Sequence, residues 1–276
     1  MKEDIKPVHT FHIPVMGLGY TIDTPVKVAR FGISSVVSII QDILVEQMRK
    51  FYCEKEGINY THIPFTDIDH RWKRIKGYLD LMKDIVDHQM EKLKAEPFEE
   101  GKEIVKYFEL LPDDSDLRKL YSEMKKLGEG EEKIFLQKQL RKKIIAGSID
   151  VNIMTKIDNL NYDSQGEQLP PEYSDALSAL KGFALSNLSS SLVLSAGMNP
   201  RLFAFMETFS DFFPDESGSI KKKIILKVSD YRSAFIQGKL LAKRGLWVSE
   251  FRIESGLNCG GHAFPTDGYL LGPILD

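Results

Sequence analysis

The sequence predicts an α/β fold: a parallel (β/α) TIM-type barrel, incomplete at about six βα units, with a large charged α-helical insertion after the second strand. Three observations predict it. Short β-branched runs such as SSVVSII (34–40) recur along the chain and suit strands buried on both faces. Helical patterns alternate with them, opened by cap and proline signals and closed by glycine. Between Arg71 and Ala146 the texture changes, with 18 Lys/Arg and 16 Asp/Glu in 76 residues. The chain therefore divides into 1–41 as the first part of the barrel, 42–146 as a helical insertion or cap, and 147–276 as the continuation of the barrel.

The elements follow in order. HIPVMGLG (12–19) reads as a buried strand opening into a Gly-rich turn, and Thr24-Pro25 reads as an N-cap followed by proline at the first helical position. The run 34–40 is the second strand, so the first unit has the strand–helix–strand order of a parallel pair. Helical periodicity runs from Asp42 to Glu56, and further helices are expected at about 68–95, 98–110, 113–127 and 130–145. Their charges alternate in sign at helical spacing, the pattern of solvated faces joined by i,i+4 pairs. DVNIMTKID (150–158), SSLVLSAGMNP (190–200), KKKIILKVSD (221–230) and VSEFRIESG (248–256) read as the later strands. EYSDALSALKGFALS, PRLFAFMETFSDFFP and YRSAFIQGKLLAKRG read as the helices between them, the last closed by Gly245.

Composition narrows the class. The 276 residues carry a net charge of -3 and 42% hydrophobic residues, an ordinary globular balance that excludes collagenous and wholly disordered chains. No overall basic field points to nucleic acid, and no run of eighteen apolar residues points to a membrane span. Two distant cysteines, Cys53 and Cys259, support neither a disulfide scaffold nor a zinc ribbon. With a charged amino terminus lacking a signal-peptide core, a cytoplasmic location is expected.

The chemistry is expected in the segment Glu254-Ser255-Gly256-Leu257-Asn258-Cys259-Gly260-Gly261-His262. A strand there runs into a loop whose adjacent glycines permit positive φ and close approach of backbone to a ligand. His262, at a strand's carboxyl end, is poised for proton transfer near neutral pH. Three further groups read as structural rather than functional. Asp67, Asp69, His70 and His88 are solvated side chains of charged helices. His9 and His12 flank the first strand as packing or surface residues. Arg71-Trp72-Lys73-Arg74 is a small basic-aromatic cluster among acidic neighbours.

Three segments resemble the nitronate monooxygenase family (2-nitropropane dioxygenase-like flavoproteins), which are FMN-binding (β/α)₈ barrels. IPVMGLGYTIDTPVKVARFGISSVVSI resembles the family's first unit. VNIMT and LVLSAGMNP resemble its third and fourth strands. KIILKVSDYRSAFIQGKLLAKRGLWVSEFRIESGLNCGGHAF resembles its fifth unit and a sixth strand ending in Gly-Gly-His. The likeness covers roughly 1–41 and 147–276, and the charged helices between have no counterpart in simple members. It implies an oxidoreductase that binds FMN and acts on a small organic substrate. Met16, Gly17, Leu18 and Gly19 then form a flavin-contacting loop, and Asn152 and Lys227 meet the flavin from the third and fifth strands. Ser255, Gly256, Gly260 and Gly261 shape the pocket floor, and His262 acts as base or orients the substrate. A homodimer is compatible with this reading.

The chain departs from the family in stopping at Asp276, before the phosphate-gripping loops after strands seven and eight, so a truncated, inactive barrel is one expectation. Leu-Asn-Cys also replaces the family's usual residues before Gly-Gly-His. The pattern from Lys227 to Pro265 is also similar to the FMN-barrel domain of glutamate synthases, although no iron–sulfur cysteine cluster accompanies it. A reading of a different class makes the chain a non-catalytic protein whose charged helices are an interaction module.

Overall fold

The computed structural model describes residues 7–16, 19, 21–163, 165–195 and 197–254. Six strands form one sheet in sequential order, each parallel to its neighbour. They are β1 (His12–Ile13), β2 (Ser34–Ser38), β3 (Ile149–Met154), β4 (Ser190–Ser195), β5 (Lys222–Val228) and β6 (Val248–Ile253). Helix α1 (Thr24–Val28) links β1 to β2, and α2 (Asp42–Glu56), α3 (His70–Ala95), α4 (Glu103–Glu109), α5 (Asp116–Lys126) and α6 (Glu131–Lys142) lie between β2 and β3. Helices α7 (Asp175–Ala184), α8 (Pro200–Met206) and α9 (Tyr231–Ala242) carry the remaining crossovers. None of the described helices is long and apolar enough to cross a membrane.

Alternation along each strand sorts the side chains. Val37, Val151, Ile153, Leu192, Leu194, Ile224 and Leu226 face the helices and join the main core. Val36, Val193 and Ile225 form a small second cluster on the other face. That face is concave. On a flat sheet β1 and β6 would stand about 24 Å apart, at roughly 4.8 Å per strand. Yet His12 of β1 and Arg252 of β6 line one small cavity, so the sheet curls into part of a barrel.

The charged stretch joins the same core. Ile75, Tyr78, Leu79, Met82, Ile85, Val86, Met90 and Leu93 make a buried stripe along α3, continuous with Ala176, Leu180 and Phe183 of α7 and with the sheet's outer face. Tyr78 donates its hydroxyl to the Ile22 carbonyl at 2.8 Å, tying α3 to the loop before α1. A close approach governs the return into β3. A Cβ on Gly147 would lie 2.1 Å from the Ile33 carbonyl oxygen, while the Gly147 amide donates to Ala29 at 2.8 Å. Only glycine lets the chain pass there.

Several local expectations are corrected. The first strand is two residues rather than 12–19, because Pro14 cannot donate to a ladder and ends the pairing. Thr24 is the first helical residue of α1 and Asp23 stands at its N-cap, without a side-chain capping bond. The helix expected over 200–214 stops at Met206 and resumes as a 3-10 turn at Ser210–Phe212, with the Thr208 hydroxyl bonded back to Phe205. Gly245 does take a positive φ of 73° after α9.

Candidate functional site

The concave face is polar where a closed barrel of this kind is normally filled by branched apolar side chains. Asp150 and Asn152 occupy it because they alternate with Ile149, Val151 and Ile153 on β3. Lys227 does so between Leu226 and Val228 on β5. Arg252 reaches across from β6. Its Nη2 stands 3.5 Å from the Asp150 carboxylate and its Nε 2.6 Å from Glu250. Asp150 is buried and also accepts hydrogen bonds from the Ser148 hydroxyl at 2.7 Å and the Ser191 amide at 3.1 Å. Lys227 pairs with Glu254 at 2.7 Å.

These groups surround a cavity of about 20 Å³, room for roughly one water. His12, Asn152, Lys227, Arg252 and Glu254 supply its polar lining, and Val36 and Val193 its apolar floor. Burial lowers the His12 pKa, and the positive charges of Arg252 and Lys227 lower it further, against the opposing pull of Glu250 and Asp150. His12 is therefore a neutral imidazole at neutral pH, able to accept a proton.

One polar side chain here is buried without a partner. Ser38 and Asn152 are paired across β2 and β3 and are each 3% exposed. Among the described residues the Ser38 hydroxyl makes no hydrogen bond. A buried hydroxyl left unbonded costs about 1–3 kcal/mol, so Ser38 is a natural place for a ligand to bond.

Beyond the carboxyl ends of the strands, ion pairs lock the helices. Arg71 bridges Asp42 at 3.1 Å and Asp175 at 3.0 Å, and Arg74 pairs with Asp42 at 2.8 Å, joining the first turns of α2, α3 and α7. Lys73 pairs with Asp67 at 2.7 Å and the Trp72 indole donates to Asp69 at 2.6 Å. The basic-aromatic cluster is thus spent on its acidic neighbours.

Of the expected site residues, Asn152 and Lys227 meet in the concave cavity. Met16 and Gly19 do not line it. Met16 is 67% exposed, with its amide held by the Thr21 hydroxyl at 3.4 Å, and Gly19 is exposed. Gly17, Leu18, Ser255, Gly256, Gly260, Gly261 and His262 lie outside the described residues. The cavity adds Arg252, to which the sequence draws no attention, Glu254, which opens the segment where the chemistry is expected, and His12, expected as a packing or surface residue. Period-two spacing was the available signal for Arg252 and Glu254, since both share the parity of Glu250. His12 had no local signal, because only curling of the sheet brings it to β6. In comparisons with known proteins, no family model, no curated protein and no solved structure matches this chain.

Proposed function

We propose that the chain is an FMN-dependent oxidoreductase of the nitronate monooxygenase type, acting on a small organic substrate at the carboxyl end of the curled sheet. The observation that carries this reading is the meeting of Asn152 and Lys227 in the cavity lining, beside the unpartnered Ser38 hydroxyl. A flavin's pyrimidine edge alternates hydrogen-bond donors and acceptors. An amide that both donates and accepts, a hydroxyl that does likewise, and an ammonium suit that edge. The fit extends to charge: Glu254 takes one of three N–H donors on Lys227 and leaves the others for an anionic oxygen. Because the cavity has room for about one water, only the ring edge would reach it, and a flavin lying over it would accept electrons from the substrate.

The chain's own residues bind and orient. Asn152 and Ser38 fix the ring edge, Lys227 favours negative charge upon it, and neutral His12 holds the lower wall of the cavity. His262 is the proposed base or substrate-orienting group. Such an enzyme acts in the cytoplasm, with neither nucleic acid nor membrane as partner, and a homodimer is compatible with it.

Titration of the full chain with FMN, read by flavin fluorescence and visible absorbance, tests the proposal. Saturable uptake is expected, weakened about tenfold in Asn152→Ala and in Lys227→Met, the loss of one or two charge-assisted or buried hydrogen bonds each. A folded chain that takes up no FMN overturns the reading.

A further inference from the structure

A second concavity, independent of the curled sheet, lies between α2 and the segment 57–69 that follows it. Its volume is about 580 Å³, within the range of small-molecule sites. Ile43, Gln47 and Lys50 form one helical stripe of α2 at i, i+4 and i+7, and Tyr60, His62 and Phe65 face them from the segment. Ile43 is 67% exposed and Phe65 73% exposed, so two apolar walls stand open to water across the groove.

The groove is rigidly built. Glu46, 6% exposed, lies at its floor and fastens the segment. Its carboxylate accepts bonds from Arg49 at 2.8 and 2.7 Å, from the Tyr60 hydroxyl at 2.8 Å and from the Ile63 amide at 3.1 Å. Arg74 donates to the Ile63 carbonyl at 3.0 and 2.6 Å while paired with Asp42. The Arg49 guanidinium lies 4.8 Å from the centre of the Tyr60 ring. Floor charges are therefore spent on one another, and the segment is held in place before any ligand arrives.

What remains uncommitted is the rim. Among the described residues Lys50 has only a long contact to Glu54, 3.8 Å, with both side chains more than half exposed. Such a pair contributes little and yields readily to another anion. Gln47 adds an amide on the same rim, and His62, whose Nδ1 is engaged with the Tyr60 hydroxyl at 3.1 Å and stands 3.4 Å from Glu46, adds its other ring nitrogen. Among the lining groups Glu46 is the acid, and Lys50 and Arg74 are the fixed cations.

From the apolar walls, the prebuilt floor and the cationic rim, we infer that this groove binds a small organic carboxylate with a flat apolar body. The body lies between Ile43 and Phe65, and its carboxylate meets Lys50, with Gln47 and His62 as neighbouring donors. The inference does not rest on the flavin reading.

The probe is naphthalene-2-carboxylate, titrated into the full chain by calorimetry, with 2-naphthylmethanol as its uncharged counterpart. One-site binding of the carboxylate is expected. Phe65→Ala and Ile43→Asp each lower affinity about tenfold or more. Lys50→Glu lowers it for the carboxylate and leaves the alcohol unaffected. All three positions are exposed, so far-ultraviolet circular dichroism should match the parent chain. Asn152→Ala should bind the probe as the parent does, whatever it does to FMN. Absence of saturable binding overturns the proposal. So does binding that none of the three groove variants changes, or equal loss for acid and alcohol in Lys50→Glu.

Discussion

At the scale of a residue, Lys222 is the most consequential group outside the two concavities. It begins β5 on the helix-facing side and is fully buried. Its ammonium donates to the carbonyl and the hydroxyl of Ser186, both at 3.0 Å, and lies 4.3 Å from the centre of the Phe183 ring. No carboxylate pairs with it among the described residues. Burial, reinforced by the neighbouring charge of Lys221, pulls its pKa down to about 7. The consequence for stability has a definite sign. In the unfolded chain the amine keeps its proton up to its ordinary value near 10.5, so between about 7 and 10.5 the unfolded state binds more protons. Stability therefore rises with pH across that window, and below about pH 7 the cost of burying the charge is present in full. Lys222→Met should raise the melting temperature by a few degrees at pH 6 and lose that advantage by pH 10. Calorimetric scans of both proteins across this range check it, and an advantage that stays constant with pH would show that charge burial is not the cause.

At the scale of an element, α3 shows both what sequence pattern conveys and where it stops. Its boundaries fall within two residues of the expectation at 68–95. The stripe Ile75, Leu79, Met82, Val86, Met90 and Leu93 has the spacing of one helix face, yet the eye is drawn to the charges around it. A helix with one apolar face must bury it somewhere, but the sequence does not say against what. The answer is α7, and the contact depends on a missing side chain. A Cβ on Gly182 would meet Ile75 Cγ2 at 2.6 Å and the Trp72 carbonyl at 2.9 Å. Nothing in KGFA marks that glycine as a contact point. The same gap separates Lys227 from His12: alternation alone assigns Lys227 to the concave face, whereas His12 needs the curvature of five strands. Gly182→Ala should therefore destabilise the fold by about 1–3 kcal/mol, despite alanine's better helix propensity. The midpoint of urea unfolding reads this directly, and a midpoint at or above that of the parent chain would mean that α3 and α7 are not packed this closely.

At the scale of the whole molecule, the question is what holds a six-stranded sheet in a curl. The helices press on its outer face, but among the described residues the inner face has a small apolar cluster, Val36, Val193 and Ile225, with Val15 packed against it. Ion pairs add to these inner contacts, and one spans the curve. Arg252 on β6 meets Asp150 on β3 across two intervening strands, with Asp150 nearly enclosed and Arg252 only 14% exposed. Because Asp150 also accepts two hydrogen bonds, it is held in place whether or not the arginine is there. Arg252→Met then leaves a buried carboxylate without its cation, a loss of about 3–5 kcal/mol for a well-buried pair, less here because of the 3.5 Å separation and the competing bond to Glu250. Asp150→Asn keeps both hydrogen bonds as an acceptor and removes the charge. If the pair links β3 to β6, the double variant Arg252→Met/Asp150→Asn should be more stable than Arg252→Met alone, giving a coupling of about 1 kcal/mol or more in a double-mutant cycle. The same link should govern His12, because Arg252 is the strongest charge lowering its pKa. In Arg252→Met the His12 ring should titrate at higher pH, followed by its imidazole proton resonances. Additive variants and an unmoved His12 titration would together show that the two strands are held apart, and that the curl is imposed by the helices alone.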